Sequence, residues 1–227
     1  MRLQAGVVLA LVACTGKGSV SLTDDSAVDT GPPVVADETL CGAYSGLSQA
    51  GQVWTYAFSA GESTGQVIRE VVELGEGTGT LRTSLEWTSE AAKYASTTTT
   101  NVICDDGGMS VASEVSEWSG SDTTATTEGW QIDTYDPPYL VLARGLTLGQ
   151  EWTGTTNLTR ESSQAATTTD RYTYSFLVGA EEVLTVQAGT YTALRIDARG
   201  TLGSQQYVAE DVGTVKTTEL ELVSLAR

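Results

Sequence analysis

An all-β domain, built as a strongly curved antiparallel sheet or a partly closed barrel or sandwich, is the fold class this sequence predicts. Three observations carry it. Apolar and polar residues alternate with period two along most of the chain beyond residue 40. No window long enough for a sizeable amphipathic helix shows a 3.6-residue period. The phrase Gly51-Gln52-Val53-Trp54-Thr55 returns as Gly149-Gln150-Glu151-Trp152-Thr153, which points to two related halves.

Taken in order, the elements start with a leader. Arg2 gives a positive start, and Ala5 to Ala13 give an apolar run too short to span a bilayer, so residues 1–13 read as a cleaved export signal. Leu11-Val12-Ala13-Cys14 resembles the lipobox of bacterial lipoproteins. The resemblance implies diacylglyceryl transfer to the Cys14 sulfur, cleavage after Ala13 and acylation of the new amino group. The partner so implied is a membrane, reached through a lipid anchor. Each buried methylene contributes about 0.8 kcal/mol, so two or three chains hold where one would not. Thr15 stands where Asp would retain such a protein at an inner membrane, which by analogy favours the outer membrane of a bacterial envelope.

Residues 14–39 carry Gly, Ser, Thr, Asp and the Pro32-Pro33 pair with little apolar periodicity, the composition of a disordered tether. Asp24, Asp25 and Asp29 fall within it as solvated charge. Residues 40–227 are expected to form a single antiparallel β domain. Trp54, Tyr56 and Phe58 share one face of a strand. Leu81, Leu85 and Trp87 do the same against Arg82, Ser84 and Glu86, as do Tyr172, Tyr174 and Phe176. Leu194 and Ile196 alternate with Arg195, Asp197 and Arg199, and Thr97 to Thr100 suit a strand's solvent face. Ser89 to Tyr94 suits one helical turn. Glycine-containing breaks at 75–79, 107–108, 120, 145, 149, 200 and 213 punctuate the strands, as in a meander of about ten or more.

Composition narrows the function. The formal net charge is −17, with only Lys17, Lys93 and Lys216 as lysines and no basic cluster, so nucleic acid is excluded as a partner. Histidine is absent, which removes the commonest general base and zinc ligand together with serine-histidine and cysteine-histidine catalysis. No phosphate-binding loop, dinucleotide fingerprint or nucleophile elbow occurs. The sequence thus predicts no catalytic residue, no metal and no cofactor. Once Cys14 is committed to lipid, Cys41 and Cys104 remain, and in an oxidising compartment they are most simply a disulfide. Closing a loop of about 60 residues contributes roughly 4 kcal/mol in the chain-entropy account.

Four segments, Gly51 to Tyr56, Gly149 to Trp152, Glu182 to Arg195 and Tyr207 to Lys216, together resemble a broad class of exported bacterial β-proteins of unknown function. The resemblance implies a curved sheet closing partly or fully into a barrel, as in envelope lipoproteins that hold apolar ligands. The expected function is that of a non-catalytic, membrane-anchored lipoprotein that binds or supports, its ligand an apolar molecule, a glycan or an envelope protein. Trp54 and Trp152 are the ligand-binding candidates, against an ordinary place in the core. One alternative is a carboxylate-dependent glycan-active enzyme, for which Glu70, Glu73, Glu86, Glu114, Glu117, Asp133 and Asp136 could supply a pair. Another is a calcium-binding surface protein, using the Asp105-Asp106-Gly107-Gly108 or Asp133 to Pro138 stretch as a loop.

Overall fold

The computed structural model describes residues 41–122, 125–199 and 204–227. The leader, Cys14 and residues 15–39 lie outside the described residues. Twelve strands follow in order: β1 (Val53–Ala60), β2 (Ser63–Gly75), β3 (Thr78–Thr88), β4 (Ala92–Asp105), β5 (Gly108–Asp122), β6 (Thr126–Ala143), β7 (Glu151–Ser162), β8 (Thr168–Val186), β9 (Gly189–Arg199), β10 (Gln205–Ala209), β11 (Gly213–Thr217) and β12 (Leu220–Ala226). Each runs antiparallel to its neighbours in sequence, and β12 pairs with β1 from Leu220 to Ala226, so the sheet is a closed barrel. Closure is complete rather than partial. Both ends of a curled sheet carry unpaired backbone groups, and joining them satisfies these groups.

The period-two pattern maps onto inside and outside. Trp54, Tyr56 and Phe58 point inward and are buried, and so do Val67 and Val71 on β2 and Leu81 and Leu85 on β3. The outer face is hydroxyl-rich: Thr155 meets Thr173 at 3.2 Å and Thr159 meets Thr169 at 3.1 Å. A barrel facing lipid would show an apolar band there. Two local expectations are corrected. Ser89 to Tyr94 forms no helical turn; the Ser89 hydroxyl takes the Ala92 N–H at 3.1 Å and closes a tight turn between β3 and β4, a bond that competes with helix. Gly120 is no break but lies inside β5, paired with Tyr94 and Thr127.

One end of the barrel is sealed. Residues 41–52 cross it and bury Leu47, the β6–β7 connection buries Leu146, and Met109, Leu142 and Val212 close around them. Cys41 is disulfide-bonded to Cys104 at the end of β4, with Cα atoms 4.9 Å apart and a sequence separation of 63. Gly46, at φ 76°, lies against the Trp54 indole, where an added Cβ would come within 2.5 Å of the ring.

The repeated phrase opens two equivalent halves, β1–β6 and β7–β12. Gly51 and Gly149 share a φ of 82°, in the left-handed region that favours glycine. The Gly51 N–H donates to Val71 O at 2.8 Å and the Val71 N–H to Gln52 O at 2.9 Å; Gly149, Val178 and Gln150 repeat both bonds at 2.9 Å. A bulge follows Val71 on β2 and, equivalently, Val178 on β8. The match is longer than the pentapeptide, because Gly46-Leu47-Ser48 and Gly145-Leu146-Thr147 precede it with Leu47 and Leu146 both buried. A looser echo of Gly79 to Arg82 in Gly189 to Arg195 falls on equivalent strands two residues out of register. Val71 pairs with Leu81 and Val178 with Ile196, so the counterpart of Leu81 is Ile196 and not Leu194.

The halves meet at two seams. At the first, β1 and β12 form a ladder with one bulge beside Tyr56. At the second, the β6–β7 ladder runs only from Gln131 opposite Ser162 to Asp136 opposite Asn157. Pro137 and Pro138 follow, and neither has an N–H to donate. Side chains span the remainder: the Trp152 indole N–H donates to Leu140 O at 3.3 Å, the Thr156 hydroxyl to Pro137 O at 2.6 Å, and the Leu140 N–H to the Tyr174 hydroxyl at 3.2 Å. Gly154 on β7 leaves the space through which Tyr174 reaches β6.

Both opening tryptophans are buried, Trp54 at 2% and Trp152 at 8% exposure. Replacing either by Ala should cost roughly 3–5 kcal/mol of unfolding free energy, read from urea denaturation. Trp54→Phe keeps most of the ring but leaves Val212 O without its indole partner, and should lose less. For the disulfide, thiol alkylation of non-reduced, denatured protein should leave Cys41 and Cys104 unlabelled, and reduction should lower stability by roughly 4 kcal/mol.

Candidate functional site: the lumen and its open end

Eight strands close around an interior that side chains just fill, and diameter grows with strand number, so twelve leave more room. Both ends spend it differently. Towards the sealed end the inward positions Val71, Leu81, Met109 and Val178 are each 0% exposed. An aromatic cluster completes this half: Tyr139 stands edge-on to Tyr174 with centroids 4.6 Å apart, and Trp152 stacks on Phe176 at 5.1 Å. Towards the other end the inward residues Tyr94, Ser96, Thr98, Ser116, Trp118 and Tyr172 are only half-buried, so solvent reaches the inner wall.

Between the two lies a belt of charge. Thr100, Glu114, Asp133 and Arg160 stand directly opposite one another on β4, β5, β6 and β7. Glu114 accepts from the Tyr135 hydroxyl at 3.1 Å and from the Thr100 hydroxyl at 3.3 Å. Asp133 accepts two bonds of 2.8 Å from Arg160 Nε and Nη2 and one of 3.0 Å from Gln131. Four residues of β6, Tyr135 to Pro138, face the single residue Ala112 of β5, and this wide bulge brings Tyr135 back over Glu114. On β2 the guanidinium of Arg69 lies 5.7 Å from the centre of the Tyr56 ring and is 4% exposed.

These surroundings shift proton affinities. Burial raises the Glu114 carboxyl above the usual range, assisted by the Asp133 charge, while the bonds from Tyr135 and Thr100 and the Arg160 charge oppose the rise. Burial lowers the affinity of Arg69 for its proton, with Tyr56 and Glu114 opposing. The Tyr56 hydroxyl is pushed up to about 12 by burial, held back by Arg69. The bonds from Asp133 raise Arg160. Two cations and two carboxylates thus share one interior layer, formally balanced.

Above the belt, Thr83 pairs with Arg69 across β2 and β3 and continues to Thr98 and Ser116, whose hydroxyls meet at 2.9 Å. The Thr83 hydroxyl is buried and without a hydrogen-bond partner. Gln206 on β10 faces inward with Val208, is 2% exposed, and neither its Oε1 nor its Nε2 has a partner. The next inner row reads Val67, Leu85, Ser96 and Trp118, and the one after it, followed from Phe58, reads Gly65, Trp87, Tyr94 and Gly120. Trp87 stacks on Tyr94 with centroids 5.6 Å apart and planes 20° apart. Trp118 lies across Gly129, where a Cβ would come within 2.5 Å of the ring.

Of the residues singled out in the sequence, Cys41 and Cys104 are joined, and Cys14 lies outside the described residues. Trp54 and Trp152 belong to the core of the sealed half. Among the seven acids only Glu114 and Asp133 meet inside; Glu70 pairs with Arg82 at 3.5 Å on the outer face, and Glu86, Glu117 and Asp136 are exposed. Asp133 to Pro138 is the bulged middle of β6 rather than a loop. Asp105-Asp106-Gly107 is the β4–β5 turn, in which the Asp105 carboxylate accepts the Gly107 N–H at 2.7 Å. Among the described residues no group of three or more His, Cys, Asp or Glu is placed to hold a metal ion. Arg69, Thr83 and Gln206 are inward polar residues not among those singled out in the sequence. Their parity with Val67, Leu81 and Val208 marks them as inward, and a polar residue at an apolar beat was the available signal. Comparison with family models, curated proteins and solved structures finds no match for this chain.

Asp133→Ala removes both charged bonds from Arg160 and should cost about 1.5–3 kcal/mol. Glu114, with its proton affinity raised in the folded state, favours folding most below the ordinary carboxylate pKa, and that contribution is lost as pH rises through the raised value. The urea midpoint of Glu114→Gln minus that of the wild type should therefore increase between about pH 4 and pH 7. A pH-independent difference would show that Glu114 ionises as freely in the folded barrel as in the unfolded chain.

Proposed function

We propose that this chain is an exported lipoprotein of a bacterial envelope, anchored through Cys14, whose barrel binds a ligand non-catalytically at its open end. The observation that carries the binding half of this reading is the contrast along the lumen. One end is packed dry behind residues 41–52, while the other keeps half-buried aromatic and hydroxyl side chains on its inner wall. Ligand sites are concave, aromatic-rich and supplied with a few polar groups aimed inward, and the mouths of barrels are among their usual places. The non-catalytic half is supported by how the two interior carboxylates are engaged: Asp133 is held by Arg160 and Gln131, and Glu114 by Tyr135 and Thr100. The anchoring half rests on Leu11 to Cys14, and the outer membrane is favoured by Thr15.

Metabolic labelling with radioactive palmitate tests the anchor. The wild type should take up label and partition into detergent, and Cys14→Ser should do neither. Undiminished labelling of Cys14→Ser would end the lipoprotein reading. Native mass spectrometry of the purified barrel, before and after denaturing extraction, addresses binding separately.

A further inference from the structure

We propose that the open end of the lumen is a binding site for an uncharged oligosaccharide. The proposal deepens the ligand-binding reading above and rests on it. Three independent features select this chemistry over an acyl chain or an anion.

The first is the set of rings. Trp87, Tyr94 and Trp118 are inward aromatics at the mouth, and Gly65, Gly120 and Gly129 stand beside them on the neighbouring strands. Side chains absent at those positions leave the wall flat around the rings. Aromatic surfaces bordered by hydroxyls suit the apolar faces of pyranose rings, whose edges are hydroxyl groups. The second is the inventory of unmet hydrogen bonds. The Thr83 hydroxyl and both polar atoms of the Gln206 carboxamide are buried, inward-facing and unpartnered. A buried amide or hydroxyl left unpaired forfeits the hydrogen bonds it would make in water, so these groups call for a partner that both donates and accepts. Sugar hydroxyls do both; an acyl chain does neither.

The third is charge. Arg160 is already committed to Asp133, and the belt below the mouth balances two cations with two carboxylates. The chain as a whole carries a net charge of −17. A polyanionic glycan would meet this field unfavourably and, among the described residues lining the lumen, would find Arg160 already held by Asp133, whereas a neutral one is indifferent to it.

The test is titration of the purified full-length protein with an array of neutral oligosaccharides that includes maltotetraose, cellotetraose, mannotetraose and chitotetraose. Tetragalacturonate serves as the anionic arm, and N-phenylnaphthylamine displaceable by palmitate as the apolar arm. Tryptophan fluorescence and calorimetry report binding. The expected result is saturable binding of at least one neutral oligosaccharide, weakened about tenfold or more, near 1.4 kcal/mol, in Trp118→Ala and in Gln206→Leu. Trp130→Ala, which removes an exposed outward ring, should bind as the wild type does. Thr83→Val, of nearly the same shape, covers the case in which the larger changes impair folding and should also weaken binding.

Binding of the naphthylamine with none of the sugars would overturn the oligosaccharide proposal while leaving a ligand-binding barrel. Equal or tighter binding of tetragalacturonate would overturn its neutrality. Binding unaffected by Trp118→Ala, Gln206→Leu and Thr83→Val would move the site elsewhere and overturn the proposal. Failure of every arm would sink the ligand-binding reading together with it.

Discussion

Two indole N–H groups hold the circle of strands shut, and each reaches from one half of the chain into the other. Trp54, which opens the first half, donates to Val212 O in the second at 2.7 Å; Trp152, which opens the second, donates to Leu140 O in the first at 3.3 Å. Tyr56 adds a bond to Thr214 O at 3.1 Å. A buried indole brings a large apolar surface and one donor that must be satisfied, so its position is fixed by packing and by direction at once. Placing that residue at the first turn of each half makes closure reciprocal. The sealed end builds on this arrangement, since Leu47 is buried there and Gly46 presses against the Trp54 ring at a φ that glycine tolerates.

The same reciprocity explains why the second seam survives a broken ladder. Where Pro137 and Pro138 stop the β6–β7 pairing, backbone groups of β6 would be left inside the wall, and an unpaired buried backbone group costs as much as a lost hydrogen bond. Trp152, Thr156 and Tyr174 supply side-chain partners to Leu140 and Pro137. The aromatic cluster of the sealed half therefore does two jobs. It fills the interior, and it replaces a strip of ladder. The wide bulge next to the prolines has a further consequence upward, because it sets Tyr135 over Glu114 and so helps place a carboxylate inside the barrel.

Much of the fold was legible in the residues because the inside and outside of a closed sheet translate directly into period two. Trp54, Tyr56 and Phe58, or Tyr172, Tyr174 and Phe176, announce an inner face without help from anything distant. The repeated Gly-Gln-x-Trp-Thr phrase announced the halves for the same reason, since its bonds are nearly local. Register was less legible: Leu81 and Leu194 look equivalent in sequence, yet a bulge after Val71 and another at Gly179 decide that Ile196 is the true counterpart. The charged belt was harder still. Glu114 and Asp133 come together only because bulges at Ala112 and at Tyr135 to Pro138 set the phase of β5 against β6, and seven acids spread over β2, β3, β5 and β6 offer no way to choose between them beforehand.

Sealing one end of the barrel also assigns a direction to the whole molecule. The described chain starts at Cys41 on the sealed end, and the disulfide to Cys104 fixes that point to β4 rather than leaving it to fray. A load applied to the chain at Cys41 would pass through the disulfide into Cys104 and the β4–β5 hairpin, ahead of Trp54 and the β1–β12 seam. The disulfide thus stands between the start of the described chain and the bonds that keep the sheet closed.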